Sequence, residues 1–597
     1  MVMANSKPLI VQTMDGMSFR LYRRGDEFMS WLEDTSGNPL IEDKDGNIYY
    51  AEWLEKEKRF RKRGYFLKST RRRFIKQTLE VPSPEDIKDI TQERQYQLDH
   101  MPHVDIPLPS PRDPNACPDH DFNTGGHPHE HDHDHHDEHD HSHDLGTSPP
   151  AGSLKRPMVV IYVRFSDSTG DSVPDAYITD MITNKSKFGS LAHYYNLNLS
   201  GAPEITILDN KIYHVTLDTN GKSYGTDFNS IRSEILLPAL TKTAQQGFDF
   251  AKYATSGLSG QDIDRWTCTP LVLVHAQEAA TATGNPNLWG HAYRKGTGIT
   301  LGGHALMNAQ MFGVFHGGTT KFSIGILAHE SGHALFDLPD LYDIKKDDGE
   351  INGFGNYSLM SAGSWGSSPS HPQSGSCPVG LDGYCIYKIS KQLCQEITKD
   401  GAQHIDSPYK PHYITSPKVK GEVYILQPRC FKDYDESLKV YLGGNPRSGV
   451  LVMHRDPWND DVLNPTSMCA HIIEAHGGEQ HLRVNDGGNA GEDTDFFGND
   501  VKAFGDAVDD PSSKLIRVKP GEKPGFDVTE IAISECESTY NIKFNEAPKP
   551  PDEPDPPNPP DPPDPPNPPD PPDPPEPPKP QYPKCSCKRP RFWRAQK

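Results

Sequence analysis

Two stretches of this sequence cannot bury a core, and between them they decide where folding can occur. From His127 to Asp144 the chain reads HPHEHDHDHHDEHDHSHD, and from Pro548 to Pro583 it repeats PPD, PPN and PPE. Neither stretch has enough apolar side chains to offset the entropy of ordering a backbone. They also explain the low bulk values, a hydrophobic fraction of 34% and a mean hydropathy of -0.70, which are poor for a single globular body. The boundaries expected are a small folded unit over 1–100, a disordered His/Asp-rich linker over 101–153, and a large unit over 154–405. A β-rich unit over 406–546 and a proline rod with a basic tail over 547–597 complete the chain.

A formal net charge of -22 argues against a general nucleic-acid binder and favours solubility. No apolar run approaches the roughly 18 residues that a membrane-spanning helix needs, so no transmembrane segment is expected.

Hydrophobic periodicity fills in the folded parts. In the first unit FRLYRRGDEF and NIYYAEW alternate like strands, with turns at SGNP and KDGN. The run from Lys56 to Lys76 is strongly basic and suits an acidic surface, above all that of the rest of the chain; nucleic acid or membrane is the lesser option, and a solvated helix the plain one. In the large unit MVVIYVRFSD and PLVLVHAQE read as buried strands, FGSLAHYYNLNLSG as a helix, and ITILDNKIYHVTLD as a strand pair. Strands and helices interleave up to Phe336, which predicts an α/β (α+β) sandwich with a cleft along one sheet edge. Beyond Tyr409 short β runs such as EVYILQP, SGVLVMH and AHIIEAH follow one another between Gly/Asp/Asn turns.

The chemistry concentrates in ILAHESGHALFDLPDLYD, Ile326 to Asp343. His329 and His333 are four residues apart, so a helix projects both from one face, where they can bind one Zn²⁺, with Glu330 beside them to activate a water. The surrounding Phe322–Leu335 is apolar and free of proline, as a buried helix should be, and Pro339 stops it. A catalytic zinc needs a third protein ligand, and Asp337, Asp340 and Asp343 follow closely. Asp340 is favoured, with Asp337 and Asp343 in reserve; Glu350, in the polar run KKDDGE, is a poor substitute. The pattern implies metal-assisted hydrolysis of peptide bonds, with Tyr342 and Tyr357 more suited to core packing than to stabilising an oxyanion.

With PDLYD and GFGNYSLMSAGSW, Gly353 to Trp365, on the page, the chain resembles the immune-inhibitor-A family of secreted zinc metallopeptidases, which lie near the metzincins. PVGLDGYCIYKI continues the likeness into a helix. GDEFMSWLEDTSGNPLIEDKDGNIYYAEW resembles the family's propeptide, WGHAY a stretch ahead of its active-site helix, and LVMHRD and HIIEAHGG its region beyond the zinc motif. The resemblance implies a metzincin-like catalytic domain, with Met360 in the methionine turn beneath the metal. It also implies an N-terminal propeptide-like unit that contacts the catalytic domain, protein or peptide substrates, and secretion. The N-terminal MVMANSKPLIVQTMDG, however, lacks the basic start and apolar core of a signal peptide. One departure concerns the ligands. The metzincin pattern places a glycine where this chain has Phe336 and a third ligand where it has Pro339, with Asp340 one residue later. The helix must therefore end without a left-handed glycine.

Several features remain outside that reading. Cys377, Cys385 and Cys394 cluster after Met360, and are either locally bridged or buried thiols. Cys117, in the linker, is a free or bridged cysteine or a thiolate that blocks the metal; Lys155-Arg156 offers a dibasic cleavage site. The histidine tract should bind Zn²⁺ or Ni²⁺ loosely, as a metal donor or a pH-responsive spacer. Val484–Asp500 has oxygen donors for Ca²⁺ but no EF-hand register, so a solvated loop is the simpler reading. In a polyproline II helix, at about 3.1 Å per residue, the tail would extend roughly 110 Å. A metal-binding or surface-adhesion module on an inactive protease scaffold is the competing class, against which the intact Glu330 argues.

Overall fold

The computed structural model describes residues 9–12, 18–25, 30–34, 38–42, 48–54, 59–66, 104–106 and 154–545, the last without 254–267, 280–285, 294–296, 302–303, 317–319, 343–352, 420, 444, 456–469, 477–489 and 508–523. The histidine tract, Cys117, Asp343, Glu350 and the proline rod lie outside the described residues. Among those described, no helix is long and apolar enough to cross a membrane.

The N-terminal strands form one antiparallel sheet of six in sequence order, Leu9–Gln12 through Arg59–Phe66. Leu21, Leu32, Leu40 and Ala51 are buried in it. Asp34 and Asn38, at facing strand ends, are tied together: the Asp34 carboxylate accepts from the Asn38 backbone N–H at 3.0 Å and also from the Tyr50 hydroxyl at 3.2 Å. Part of the basic run is therefore a strand, not a helix: Arg59–Phe66 pairs with Ile48–Leu54, and Arg61 meets Glu52 across the ladder at 2.6 Å.

In the large unit, Leu154–Arg164 runs parallel to Pro203–Thr216 on one side and to Thr269–Glu278 on the other. Ala309–His316 continues the parallel order and His291–Tyr293 adds an antiparallel outer strand. Both faces of this sheet are buried, as a parallel sheet requires. Alternate side chains of the first strand divide accordingly. Met158, Val160 and Tyr162 join one core with the helices Asp175–Thr183, Leu191–Asn198 and Ile324–Phe336, while Val159, Ile161 and Val163 join the core under the helical run 228–245. The expected mixed α/β layering is present. The expected strand pair in ITILDNKIYHVTLD is instead one long strand: Asp209 and Asn210 have φ of 55° and 49°, which bulges the strand without reversing it, and the register shifts between Met158 and Val160.

Two further sheets follow. Val423–Arg429, Gly449–Arg455 and Ala470–Ile473 are neighbours in a five-stranded sheet, and Gly401–Ile405, Glu537–Phe544 and Phe526–Ser534 in a four-stranded one. The middle strands of the first are apolar on both faces for a reason visible in the packing. Ile425, Leu451, Met453 and Ile472 face the same core as the 324–336 helix, and Tyr424, Leu426, Val450, Val452 and Ile473 face the four-stranded sheet. Core packing thus runs without a break across residue 405.

Three residues of the segment expected to be linker, Val104–Ile106, form a strand parallel to Ile299–Leu301. Lys155 is exposed, but Lys155-Arg156 is not a flexible cleavage site. Both residues lie within the strand Leu154–Arg164, and Arg156 is buried.

The local bridge near Met360 is also absent: Cys377, Cys385 and Cys394 are buried free thiols within one core. The disulfide joins Cys430 to Cys536, 106 residues apart, at the end of one sheet and in the turn between two strands of the other. A crosslink over so long a loop restricts the unfolded chain strongly. Cys430→Ala with Cys536→Ala should lose about 2–4 kcal/mol of stability by denaturant unfolding, with the fold retained.

Candidate metal centre

Every residue of the helix Ile324–Phe336 is buried. It enters against a crossing backbone: Gly325 donates its N–H to Gly375 O at 2.7 Å, and a Cβ at Gly325 would lie 2.1 Å from Ser364 O. Glycine is required there by close approach. A Cβ at Gly332 would likewise meet Met360 Sδ at 2.6 Å, so the methionine packs directly against the helix between its two histidines.

The helix ends at a residue the glycine-based pattern does not anticipate. Asp337 adopts φ 56° and ψ 32°, taking the left-handed place itself, which aspartate tolerates better than most side chains. Its N–H bonds His333 O at 3.1 Å and the Leu338 N–H bonds Gly332 O at 3.0 Å. This reversal carries the chain back over the helix, so that the aspartate three residues further on faces the histidines.

The geometry that results is compact. His329 Nε2 and His333 Nε2 are 3.2 Å apart, and Asp340 Oδ1 lies 3.3 Å from the first and 3.2 Å from the second. His329 donates Nδ1–H to Leu359 O at 2.8 Å and His333 donates Nδ1–H to Leu338 O at 2.6 Å. These bonds assign the tautomer of each ring and leave Nε2 as the lone-pair nitrogen. Burial pushes the His333 imidazole down to about 3, so it is neutral and ready to ligate at ordinary pH. Three ligand atoms in a near-equilateral triangle fit a single small cation: tetrahedral zinc with bonds of about 2.0 Å would hold its ligands about 3.3 Å apart. His329, His333 and Asp340 can hold a metal ion.

Glu330 is wholly buried in the same turn, and that burial raises its carboxyl above the usual range; Asp340 raises it further and His329 opposes. Asp337, one of the reserve ligands, ends the helix and is not part of the triangle. Tyr342 is buried, and the Tyr357 hydroxyl is directed to Asp495 Oδ2 and Glu492 O, 2.6 Å from each, and so away from the metal triangle.

Sequence reasoning missed the residues that hold the helix end. Arg156 donates Nε–H to Leu335 O at 2.6 Å with its guanidinium 5.2 Å above the Phe336 ring, and Asn308 donates to Ala334 O at 3.0 Å. Both satisfy carbonyls that a helix C-terminus leaves without partners, and the arginine also complements the helix dipole. With partners 179 residues apart in the chain, no local pattern announces the arginine contact.

A helix whose two histidines can hold a metal ion with a returning aspartate, beside a buried glutamate, is an arrangement suited to metal-dependent hydrolysis. Residues 175–384 match the family model described as immune inhibitor A peptidase M6, catalytic domain, and that match places a metallopeptidase catalytic domain in this chain. The matched span contains the metal triangle, Glu330 and Met360, and the resemblance read from the sequence is shown over it. The chain has no match among the curated proteins.

Arg156→Ala should lower stability by about 2 kcal/mol, because a charged hydrogen bond and the packing of the arginine stem are lost together. Arg156→Lys should restore little of it, since an ammonium cannot reproduce the planar contact over Phe336. Denaturant unfolding of the two variants checks both expectations.

Proposed function

We propose that this protein is a secreted zinc-dependent endopeptidase made as a latent precursor, with His329, His333 and Asp340 holding the ion and Glu330 serving as general base. The observation that carries the reading is the triangle of Nε2, Nε2 and Oδ1 with edges of 3.2–3.3 Å, set beside a buried glutamate. Zinc bound there would supply Lewis acidity and make a water nucleophilic near neutral pH.

The chain's own groups do the rest. Leu359 O and Leu338 O fix the two rings through their Nδ1–H bonds, so the ligand set is preorganised. Glu330 takes the water's proton and returns it to the departing amine; a carboxyl raised by burial is better suited to both halves of that transfer. Met360, against Gly332, forms the apolar floor of a metzincin-like site. His291–Tyr293, outermost in its sheet among the described residues, would align an extended peptide.

In this reading 1–100 is a propeptide-like unit, 101–153 a linker, 154–405 the catalytic domain, 406–546 a β-rich unit and 547–597 a rod with a basic tail. Pairing of Val104–Ile106 with Ile299–Leu301 supports a precursor whose N-terminal part is held on the catalytic unit. The Cys430–Cys536 bridge suits an oxidising, extracellular setting.

Glu330→Gln should retain its metal and lose casein hydrolysis by about 10²–10⁴-fold; hydrolysis at the parent rate would remove Glu330 from the mechanism. Limited proteolysis of the intact chain should raise activity, and N-terminal sequencing of the active product should place its start no later than Leu154. The strand that holds Arg156 must survive activation.

A further inference from the structure

Among the described residues a second group of metal-ligating side chains converges outside the site above. Glu474, His476 and Asp495 each offer one ligand atom, and these atoms lie within 4.8 Å of one another. Glu474 directly follows the strand Ala470–Ile473, and Asp495 closes the turn Asp493–Asp495. The two segments are locked together where the Ala475 N–H donates to Asp495 O at 3.1 Å. His476 Nε2 is 3.7 Å from Glu474 Oε2, and its Nδ1 is 3.6 Å from Asp495 Oδ1. An ion takes only one of the two ring nitrogens, so the carboxylate facing the other must close on the ion as it binds, across a gap within the 4.8 Å that contains one ligand atom of each residue.

The surroundings orient this group. Asp495 Oδ2 accepts the Tyr357 hydroxyl at 2.6 Å and the Glu492 N–H at 2.8 Å, which turns Oδ1 towards the imidazole. Glu474 and Asp495 are buried, while His476 is partly open to solvent, so an ion has a way in past the ring. Two neighbouring carboxylates, Asp493 and Asp500, are directed elsewhere, both bonding Arg447.

We propose that Glu474, His476 and Asp495 form a second divalent-cation site, structural in role and selective for a zinc- or manganese-class ion. An imidazole among the ligands favours such metals over Ca²⁺, which prefers a shell of oxygens. The site joins the β-rich region to Tyr357, two residues ahead of the Leu359 carbonyl that orients His329. An ion here would brace the platform on which the first site rests.

The test uses the full chain, stripped with a chelator, reloaded with zinc, desalted and assayed for bound metal. The histidine tract contributes equally to every variant, so differences between variants count single sites. His476→Ala should bind one ion fewer than the parent, as should His329→Ala, and the double variant two fewer. His476→Ala should also lose part of the zinc-dependent rise in Tm that His329→Ala keeps. Equal metal content in His476→Ala and the parent would overturn the proposal. Should that variant lose both ions by misfolding, anomalous diffraction at the zinc edge on the parent decides: a peak at Asp495 Oδ1 supports the site. A filled first site with no second peak refutes it.

Discussion

Two hydrogen bonds to backbone carbonyls govern this molecule's chemistry. An imidazole has two nitrogens and can present either one; only the bond made by one nitrogen commits the other. Here Leu359 O and Leu338 O take the Nδ1 protons of His329 and His333, and both Nε2 lone pairs then point at Asp340 Oδ1. Neither carbonyl belongs to the helix that carries the histidines. One comes from the segment containing Met360, the other from the reversal that Asp337 makes possible, so the site exists only when three separate stretches of chain are folded against each other.

Much of the architecture serves to hold those stretches still. Gly325 and Gly332 let backbone and Met360 approach where any side chain would collide. Leu341 donates to Met360 O at 2.8 Å and Phe354 to Leu341 O at 2.7 Å, which joins the aspartate loop to the methionine segment. Farther out, Arg429 is buried and grips Asp435 through two bonds of 2.6 Å while donating to Tyr357 O at 2.9 Å. Tyr357 in turn reaches Asp495. A region that looks like an appended β unit is thereby coupled to the ring orientation of His329, and its sheet shares a core with the helix Ile324–Phe336.

The helix from Ile324 and the shared face of its two histidines were legible because they are local: a four-residue spacing fixes a helical face, and an apolar surround fixes burial. The middles of the strands Leu154–Arg164 and Thr269–Glu278 were legible for the same reason, MVVIYV and LVLV being unbroken apolar runs. The long strand Pro203–Thr216 was misread because Asp-Asn in the middle of alternating residues is also how a hairpin turn is written, and the choice between bulge and reversal depends on the neighbouring strand. The disulfide was not readable at all, since the cysteines close in sequence stay free thiols, and Cys430 and Cys536 are brought together by two different sheets.

What the sequence determined by itself is the kind of chemistry available: two imidazoles on one helical face, a carboxylate beside them, several aspartates within reach, and long segments excluded from any core. Which aspartate faces the histidines was decided by tertiary structure, because that depends on one backbone reversal at Asp337 whose conformation no local rule assigns to an aspartate. Tertiary structure also decided that Arg156 is sealed against the helix end. A buried guanidinium needs a carbonyl and an aromatic face placed by distant parts of the chain, and such a partner cannot be inferred from the residues on either side.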